Sequence, residues 1–276
     1  MKPILFELGG LELTSYGLSK ALAAIAAGLL LARELRRRRL DPALAYSLTL
    51  AGLLGGFAGA KLYYLAEHAG SLSAHDLGGM GFTWFGGVIG GTAAVGWVAR
   101  RHGLPLGVVA GMAPIALAVA YGIGRLGCLL AGDGTYGVAS DLPWAMSFPE
   151  GTVPTTERVH PTPLYEALAA FAVAGLMWRL RTRLRPLTLF GIFLVLMGVS
   201  RFLVEFIRLN DEVALGLSQP QIWSLILVAI GCAVAYRPGG LGERPLIAQP
   251  VGSGPPLEPT ASMPARGRED AVSRHR

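Results

Sequence analysis

Seven stretches of mostly apolar residues run through the chain, at about 14–34, 43–66, 82–99, 104–123, 162–181, 187–206 and 220–236. Each comes close to the ~20 residues that a helix needs to cross a hydrocarbon core of about 30 Å. The pattern predicts an all-α, polytopic membrane protein with seven transmembrane helices. The connections between the stretches differ in charge. Arg36 to Arg39, then Arg100-Arg101-His102, then Arg179, Arg181, Arg183 and Arg185 follow the first, third and fifth stretches, and Arg237 follows the seventh. The connections after the second, fourth and sixth carry few positive charges beside the apolar runs. Arginine-rich flanks stay in the cytoplasm, so the alternation predicts a periplasmic N-terminus and a cytoplasmic C-terminus. Residues 1–236 then form the membrane domain, with a long periplasmic segment at 124–160. The tail at 237–276 is rich in Pro, Gly and Ser and is expected to be disordered.

Composition narrows the class. The 276 residues have a mean hydropathy of +0.49 and only 15% charged residues, against about 25% in an average globular chain. A soluble protein of this length lacks the polar material to cover its surface. The 38 glycines fit transmembrane helices, where small residues let backbones approach. The net charge of +6 sits in short clusters beside apolar runs, with no aromatic-interleaved basic face, so no nucleic-acid partner is expected. Of the two cysteines, Cys232 lies within an apolar run, and no disulfide framework is suggested. The basic block Arg33 to Arg39 follows the first apolar stretch instead of preceding it, unlike a cleavable signal.

An ionisable residue within a span is costly and points to function. Three places qualify. The first is Gly124-Arg125-Leu126-Gly127-Cys128, continuing through Gly132-Asp133-Gly134 to Gly137. It is read as closing the fourth span, with glycines allowing tight backbone approach and left-handed conformations. Arg125 there is suited to bidentate phosphate binding, or else to snorkelling toward headgroups. The second is Arg201-Phe202-Leu203-Val204-Glu205-Phe206-Ile207-Arg208, whose spacing puts Arg201, Glu205 and Arg208 on one helical face. An Arg–Glu staple and a ligand site fit this spacing equally. The third is His160-Pro161-Thr162-Pro163-Leu164-Tyr165-Glu166, whose prolines suit a first helical turn. No metal-ligand spacing, phosphate-binding loop or Ser/His/Asp arrangement appears, and no cofactor is expected.

These motifs resemble those of the prolipoprotein diacylglyceryl transferases of bacterial membranes, over about Tyr16 to Trp223. The family signature G-R-x-x-N-F-x-x-G-E…G is similar to the stretch from Gly124 to Gly137. The P-W…F-P stretch corresponds to Pro143-Trp144 and Phe148-Pro149, and R-H-P-S-Q-L-Y-E to the run from His160 to Glu166. R-F-x-x-E-F-x-R stands intact as Arg201 to Arg208, and Tyr16-Gly17-Leu18 resembles the first-helix Y-G-L. Three positions depart from the family. Phe85 stands where a histidine proposed to activate the thiol is usual, Cys128 replaces the signature asparagine, and Met197 replaces a common tyrosine.

The resemblance implies transfer of the diacylglyceryl group of phosphatidylglycerol to the lipobox cysteine of a preprolipoprotein, releasing glycerol phosphate, in the bacterial inner membrane. Its partners are then phosphatidylglycerol, preprolipoprotein signal peptides and membrane lipid. It implies catalytic roles for Arg125 and Arg201, with His160, Asp133 or Glu205 as proton acceptors. Arg125, Arg201, Arg208, Tyr16, Gly86, Gly87, Gly137, Tyr165 and Glu166 are expected to bind substrate. Gly86, Gly87, Gly90 and Gly91 are expected to let helices part around acyl chains. The alternatives are a non-catalytic or altered-acceptor relative that binds phospholipid headgroups, and a small transporter with Arg125, Arg201 and Glu205 lining a pathway.

Overall fold

The computed structural model describes residues 3–8, 11–70 and 83–236. The tail from 237 onward and most of the connection after the second helix lie outside them. Each apolar stretch holds one helix: α1 (Ser15–Arg37), α2 (Leu44–Glu67), α3 (Trp84–Arg101), α4 (Leu106–Ala131), α5 (Thr162–Leu180), α6 (Pro186–Glu205) and α7 (Gln219–Ala235). Three short antiparallel pairs accompany them: β1 (Ile4–Leu8) with β2 (Leu11–Thr14), β3 (Met146–Phe148) with β4 (Thr155–Val159), and β5 (Glu212–Ala214) with β6 (Leu217–Ser218).

Local chemistry explains the helix ends. Thr14 caps α1 by accepting from Gly17 N–H at 3.0 Å. Prolines occupy the first turns of α5, α6 and α7, where a missing N–H costs little. Ser218 and Gln221 form a capping box at the start of α7. Gly132, with φ of 57°, ends α4 in the left-handed conformation that glycine adopts without strain.

Among the described residues, four helices, α1, α2, α4 and α6, are long and apolar enough to cross a membrane by length and composition. The other three are diluted or short. Arg100 and Arg101 fall inside α3, and Glu166 and Arg179 inside α5. α7 has 17 residues, or ~25 Å at 1.5 Å per residue. Large apolar side chains such as Leu54, Phe57, Ile89, Trp97, Leu168 and Leu203 are exposed on the helix surfaces, as expected of a protein surrounded by lipid.

α4 is the central helix. Its lower half joins Leu35, Ala45, Leu48 and Ala99 in one cluster through Val108 and Met112. Its middle joins Ala174 and Met177 of α5 and Leu189 and Phe193 of α6 through Ile115 and Ala118. Pro114 is fully buried within it. Glycines govern two of the helix pairs. A Cβ on Gly55 of α2 would lie 2.7 Å from Gly90 O of α3, and one on Gly86 of α3 would lie 2.9 Å from the Gly59 carbonyl carbon. Likewise a Cβ on Gly191 of α6 would lie 2.6 Å from Gly231 O of α7. Without side chains between them these backbones touch, which is how membrane helices gain van der Waals contact. Gly86, Gly87, Gly90 and Gly91 therefore lie in the contact between α3 and α2.

A correction concerns α4. It continues eight residues past the expected end, through Ala131, so Gly124, Arg125, Gly127 and Cys128 are helical and the non-helical segment begins at Gly132. Gly127 is the reason α1 lies so close, since a Cβ there would sit 2.5 Å from Ser19 Cβ. Of the glycines in this motif only Gly132 and Gly134 adopt positive φ.

Candidate active site

Three helices bring the charged motifs together at one end of the bundle. α4 carries Tyr121 and Arg125 one turn apart, α5 carries Glu166 in its first turns, and α6 ends in Arg201 and Glu205. The chain stays tightly wound beyond α6. Ile207 N–H donates to Val204 O at 3.2 Å and Arg208 N–H to Glu205 O at 3.1 Å, which keeps Arg208 on the face of Arg201 and Glu205.

Two buried carboxylates organise three guanidiniums. Glu166 Oε1 accepts the Tyr121 hydroxyl at 2.6 Å and lies 3.2 Å from Arg125 Nη2 and 3.7 Å from Arg201 Nε. Glu166 Oε2 accepts from Arg208 Nη1 at 3.3 Å. Glu205 pairs through Oε2 with Arg201 Nη1 and, at 3.6 Å, with Arg208 Nε. Its Oε1 accepts from Asn210 Nδ2 at 2.5 Å and from Ser218 Oγ at 2.9 Å. Arg125 also rests over the Tyr121 ring, 5.0 Å from its centroid.

The burial is layered. Both carboxylate side chains are 1% exposed, while those of Arg125, Arg201 and Arg208 are 18%, 20% and 10% exposed. The acids sit behind and the cations toward open space. Each guanidinium carries more N–H donors than these contacts use. Three cations against two carboxylates leave one net positive charge. For Arg208, beyond the end of α6, burial and then the charge of Arg201 press the pKa down, and Glu166 pulls it up. Such an array, cationic and donor-rich, favours an anion of one or two charges.

A knot of backbone hydrogen bonds ties the segment between α4 and α5 to this cluster. Gly137 N–H donates to His160 O at 2.9 Å, His160 N–H to Val138 O at 3.0 Å, and Val138 N–H to Ile207 O at 2.9 Å. A Cβ at Gly137 would lie 2.9 Å from Thr162 Cγ2 and 3.1 Å from His160 Cβ. The position therefore needs glycine because three segments meet there. His160 faces Tyr165, with Nδ1 at 3.2 Å from the hydroxyl, which accepts from Trp144 Nε1 at 2.8 Å. These residues edge an open apolar groove of about 460 Å³, walled by Leu142, Leu164, Leu168 and Ile207.

Of the site residues expected from the sequence, Arg125, Arg201, Arg208, Glu166 and Glu205 converge, with Gly137, His160 and Tyr165 beside them. Asp133 turns into its own loop, where Oδ1 accepts from Thr135 Oγ1 at 2.6 Å and Thr135 N–H at 3.2 Å. Tyr16 is 42% exposed on α1 and carries Lys20 Nζ 4.8 Å from its ring centroid. Gly86 and Gly87 belong to the α2–α3 contact. Phe85 packs on Trp223 of α7, with ring centroids 4.5 Å apart. Three polar residues went unnoticed in the sequence: Tyr121, Asn210 and Ser218. Tyr121 stands four residues before Arg125, and the S-x-x-Q spacing of Ser218 and Gln221 marks a helix start, but neither pattern points to a distant glutamate.

Fold and site together define a helical membrane protein with an arginine array at one end of its bundle. The sequence profile of the family described as prolipoprotein diacylglyceryl transferase matches residues 3–237. A phosphatidylglycerol–prolipoprotein diacylglyceryl transferase of Geobacter sulfurreducens is 36% identical over 251 residues, covering 84% of this chain and 94% of the relative. Those of Clostridium tetani and Pseudomonas paraeruginosa are 31% and 32% identical, each covering 85% of this chain and 96% and 94% of the relative. The chain belongs to the prolipoprotein diacylglyceryl transferase family.

Proposed function

We propose that this protein transfers the diacylglyceryl group of phosphatidylglycerol to the lipobox cysteine thiol of preprolipoproteins, forming a thioether and releasing glycerol phosphate. The observation that carries the reading is the array of Arg125, Arg201 and Arg208 held by Glu166 and Glu205, with one net positive charge to meet a phosphodiester of one negative charge. The relatives' names supply the substrates. The protein sits in the bacterial inner membrane with seven spans, its N-terminus and arginine array on the periplasmic side. The array then faces the leaflet from which a lipid headgroup and an exported signal peptide both arrive.

Sulfur attacks the glyceryl carbon bonded to the phosphate oxygen. A C–S bond forms as the C–O bond breaks, and the electron pair stays with the phosphate. The phosphodiester monoanion leaves as a phosphomonoester that gains a second negative charge. Preorganised guanidiniums stabilise that developing charge more than they stabilise the bound lipid, which is the condition for lowering the barrier. Glu166 and Glu205 position the arginines, so no reorganisation is needed as charge moves. The apolar groove beside His160 and Tyr165 suits an acyl chain or the apolar residues that flank a lipobox cysteine.

The thiol must lose its proton, since the thiolate is the nucleophile. With phenylalanine at position 85, the arginine field lowers the cost of the thiolate, and His160, hydrogen-bonded to Tyr165, is the proton acceptor nearest the groove. Incubating membranes that contain the protein with acyl-labelled phosphatidylglycerol and a lipobox peptide tests the function. Label should enter the peptide and should not enter its Cys→Ser version. An unlabelled peptide, under conditions where the Geobacter sulfurreducens relative labels it, would leave only a headgroup-binding role.

A further inference from the structure

The reaction leaves a second charged cluster unused. Arg181, at the C-terminal end of α5, lies fifteen residues beyond Glu166, ~22 Å along the helix axis at 1.5 Å per residue. There Glu34 of α1, 2% exposed, accepts from Arg37 Nε at 3.0 Å and Nη2 at 2.7 Å, and pairs with Arg181 Nη1 at 3.2 Å. The Trp178 ring takes two guanidiniums, with Arg33 4.7 Å and Arg181 3.2 Å from its centroid. Arg38 follows α1 directly, and its Nε is buried with no hydrogen-bond partner among the described residues. Asp41 in the next loop is exposed and occupied in accepting from Ala43 N–H at 2.9 Å.

The charge balance separates this cluster from a simple staple. Arg33, Arg37, Arg38 and Arg181 face one carboxylate, Glu34, so four cations and one anion leave three net positive charges. A staple needs one cation per carboxylate. Topology alone asks for arginines in flanking loops; it does not ask for them to fold onto a tryptophan and a buried glutamate between two helices. The cluster lies where α1 and α5 end, near the half-buried Leu30, Leu180 and Leu184, which pack on the core between α4, α5 and α6. Basic pockets of this kind between membrane helices hold anionic headgroups.

We infer that Arg33 and Arg181, stacked on Trp178, together with Arg38 at the end of α1, bind the phosphate of an anionic phospholipid in the leaflet opposite the substrate site. The bound lipid ties α1 to α5. The leaflet assignment rests on the proposed topology; the binding itself does not.

The test uses the purified full-length chain in zwitterionic detergent, with Arg125→Gln and Arg201→Gln added so that the substrate site does not contribute. Dioleoyl phosphatidic acid is titrated while thermal unfolding is followed. We expect a saturable rise in Tm of several degrees, absent with dioleoyl phosphatidylcholine and absent in Arg33→Gln/Arg38→Gln, which keeps both partners of Glu34. If the double variant fails to fold, each single variant should reduce the shift. In the Arg125→Gln/Arg201→Gln background, a full shift on adding Arg33→Gln/Arg38→Gln overturns the proposal, as does an equal shift with inorganic phosphate, which would make the site one for free anions. Arg33→Gln/Arg38→Gln in an otherwise wild-type chain should label a lipobox peptide at the wild-type rate, so failure of the transfer reaction and failure of this site are told apart.

Discussion

Replacing Tyr121 with Phe removes one hydroxyl and little else. The ring remains, and with it the face on which Arg125 rests at 5.0 Å. What is lost is the 2.6 Å hydrogen bond to Glu166 Oε1, while the contacts of Glu166 with Arg125 at 3.2 Å, Arg201 at 3.7 Å and Arg208 at 3.3 Å persist. A hydrogen bond to a charged group contributes about 1.5–3 kcal/mol. If Glu166 serves to align the guanidiniums, that energy appears in the transition state as a ~10- to 150-fold fall in transfer rate, at about 1.4 kcal/mol per factor of ten. The assay is single-turnover transfer from phosphatidylglycerol to a lipobox peptide, with thermal unfolding measured in parallel. Glu166→Gln should cost more, because a buried ion pair broken on one side costs about 3–5 kcal/mol. The two changes should be non-additive, since both act on one oxygen. A rate for Tyr121→Phe within about twofold of wild type, or strict additivity with Glu166→Gln, would refute the positioning role, because independent sites add to within ~0.5 kcal/mol.

Other changes probe separate parts of the account. Arg125→Gln and Arg201→Gln should each lower kcat by about 10²–10³-fold while the chain still elutes as a folded species in gel filtration. Gly137→Ala should lower stability by ~1–3 kcal/mol, read as a fall in Tm, because its Cβ would meet Thr162 and His160. Ser218→Ala removes a bond to Glu205 at 2.9 Å and weakens the start of α7; a loss of about 1–2 kcal/mol in stability with a smaller activity loss than Tyr121→Phe is expected. His160→Ala should slow transfer and alter the pH–rate profile; an unchanged pH–rate profile excludes it as the base.

The helices were legible because each is predominantly apolar, and the hydrophobic pattern marks that. Their ends were less so. The glycine-rich run from Gly124 to Gly137 reads as loop, yet its first part is helix, since between packed membrane helices a glycine serves close approach as well as it serves a turn. The same ambiguity attends Gly86 and Gly87. On a sequence, glycines that join two helices and glycines that part them look alike; only α2, with Gly55, Gly56 and Gly59 opposite, decides. Arg201, Glu205 and Arg208 could be grouped because helical spacing brings them together. The centre of the cluster could not. Glu166 meets Tyr121 and Arg208 across 45 and 42 residues of chain, and no local pattern encodes a partner at that distance. Asn210 and Ser218 were hidden for the same reason, each being an ordinary loop or capping residue until α6 and α7 pack.

The central claim is that Arg125 and Arg201 stabilise a leaving phosphate as a peptide thiol takes up diacylglycerol. The most direct measurement is the intact mass of a lipobox peptide after incubation with the purified protein reconstituted in phosphatidylglycerol vesicles. The account predicts a mass gain equal to one diacylglyceryl group on the cysteine, matched mole for mole by released glycerol phosphate, and loss of both products in Arg125→Gln and Arg201→Gln. Unchanged peptide with the wild-type protein, or full conversion by both arginine variants, would contradict it.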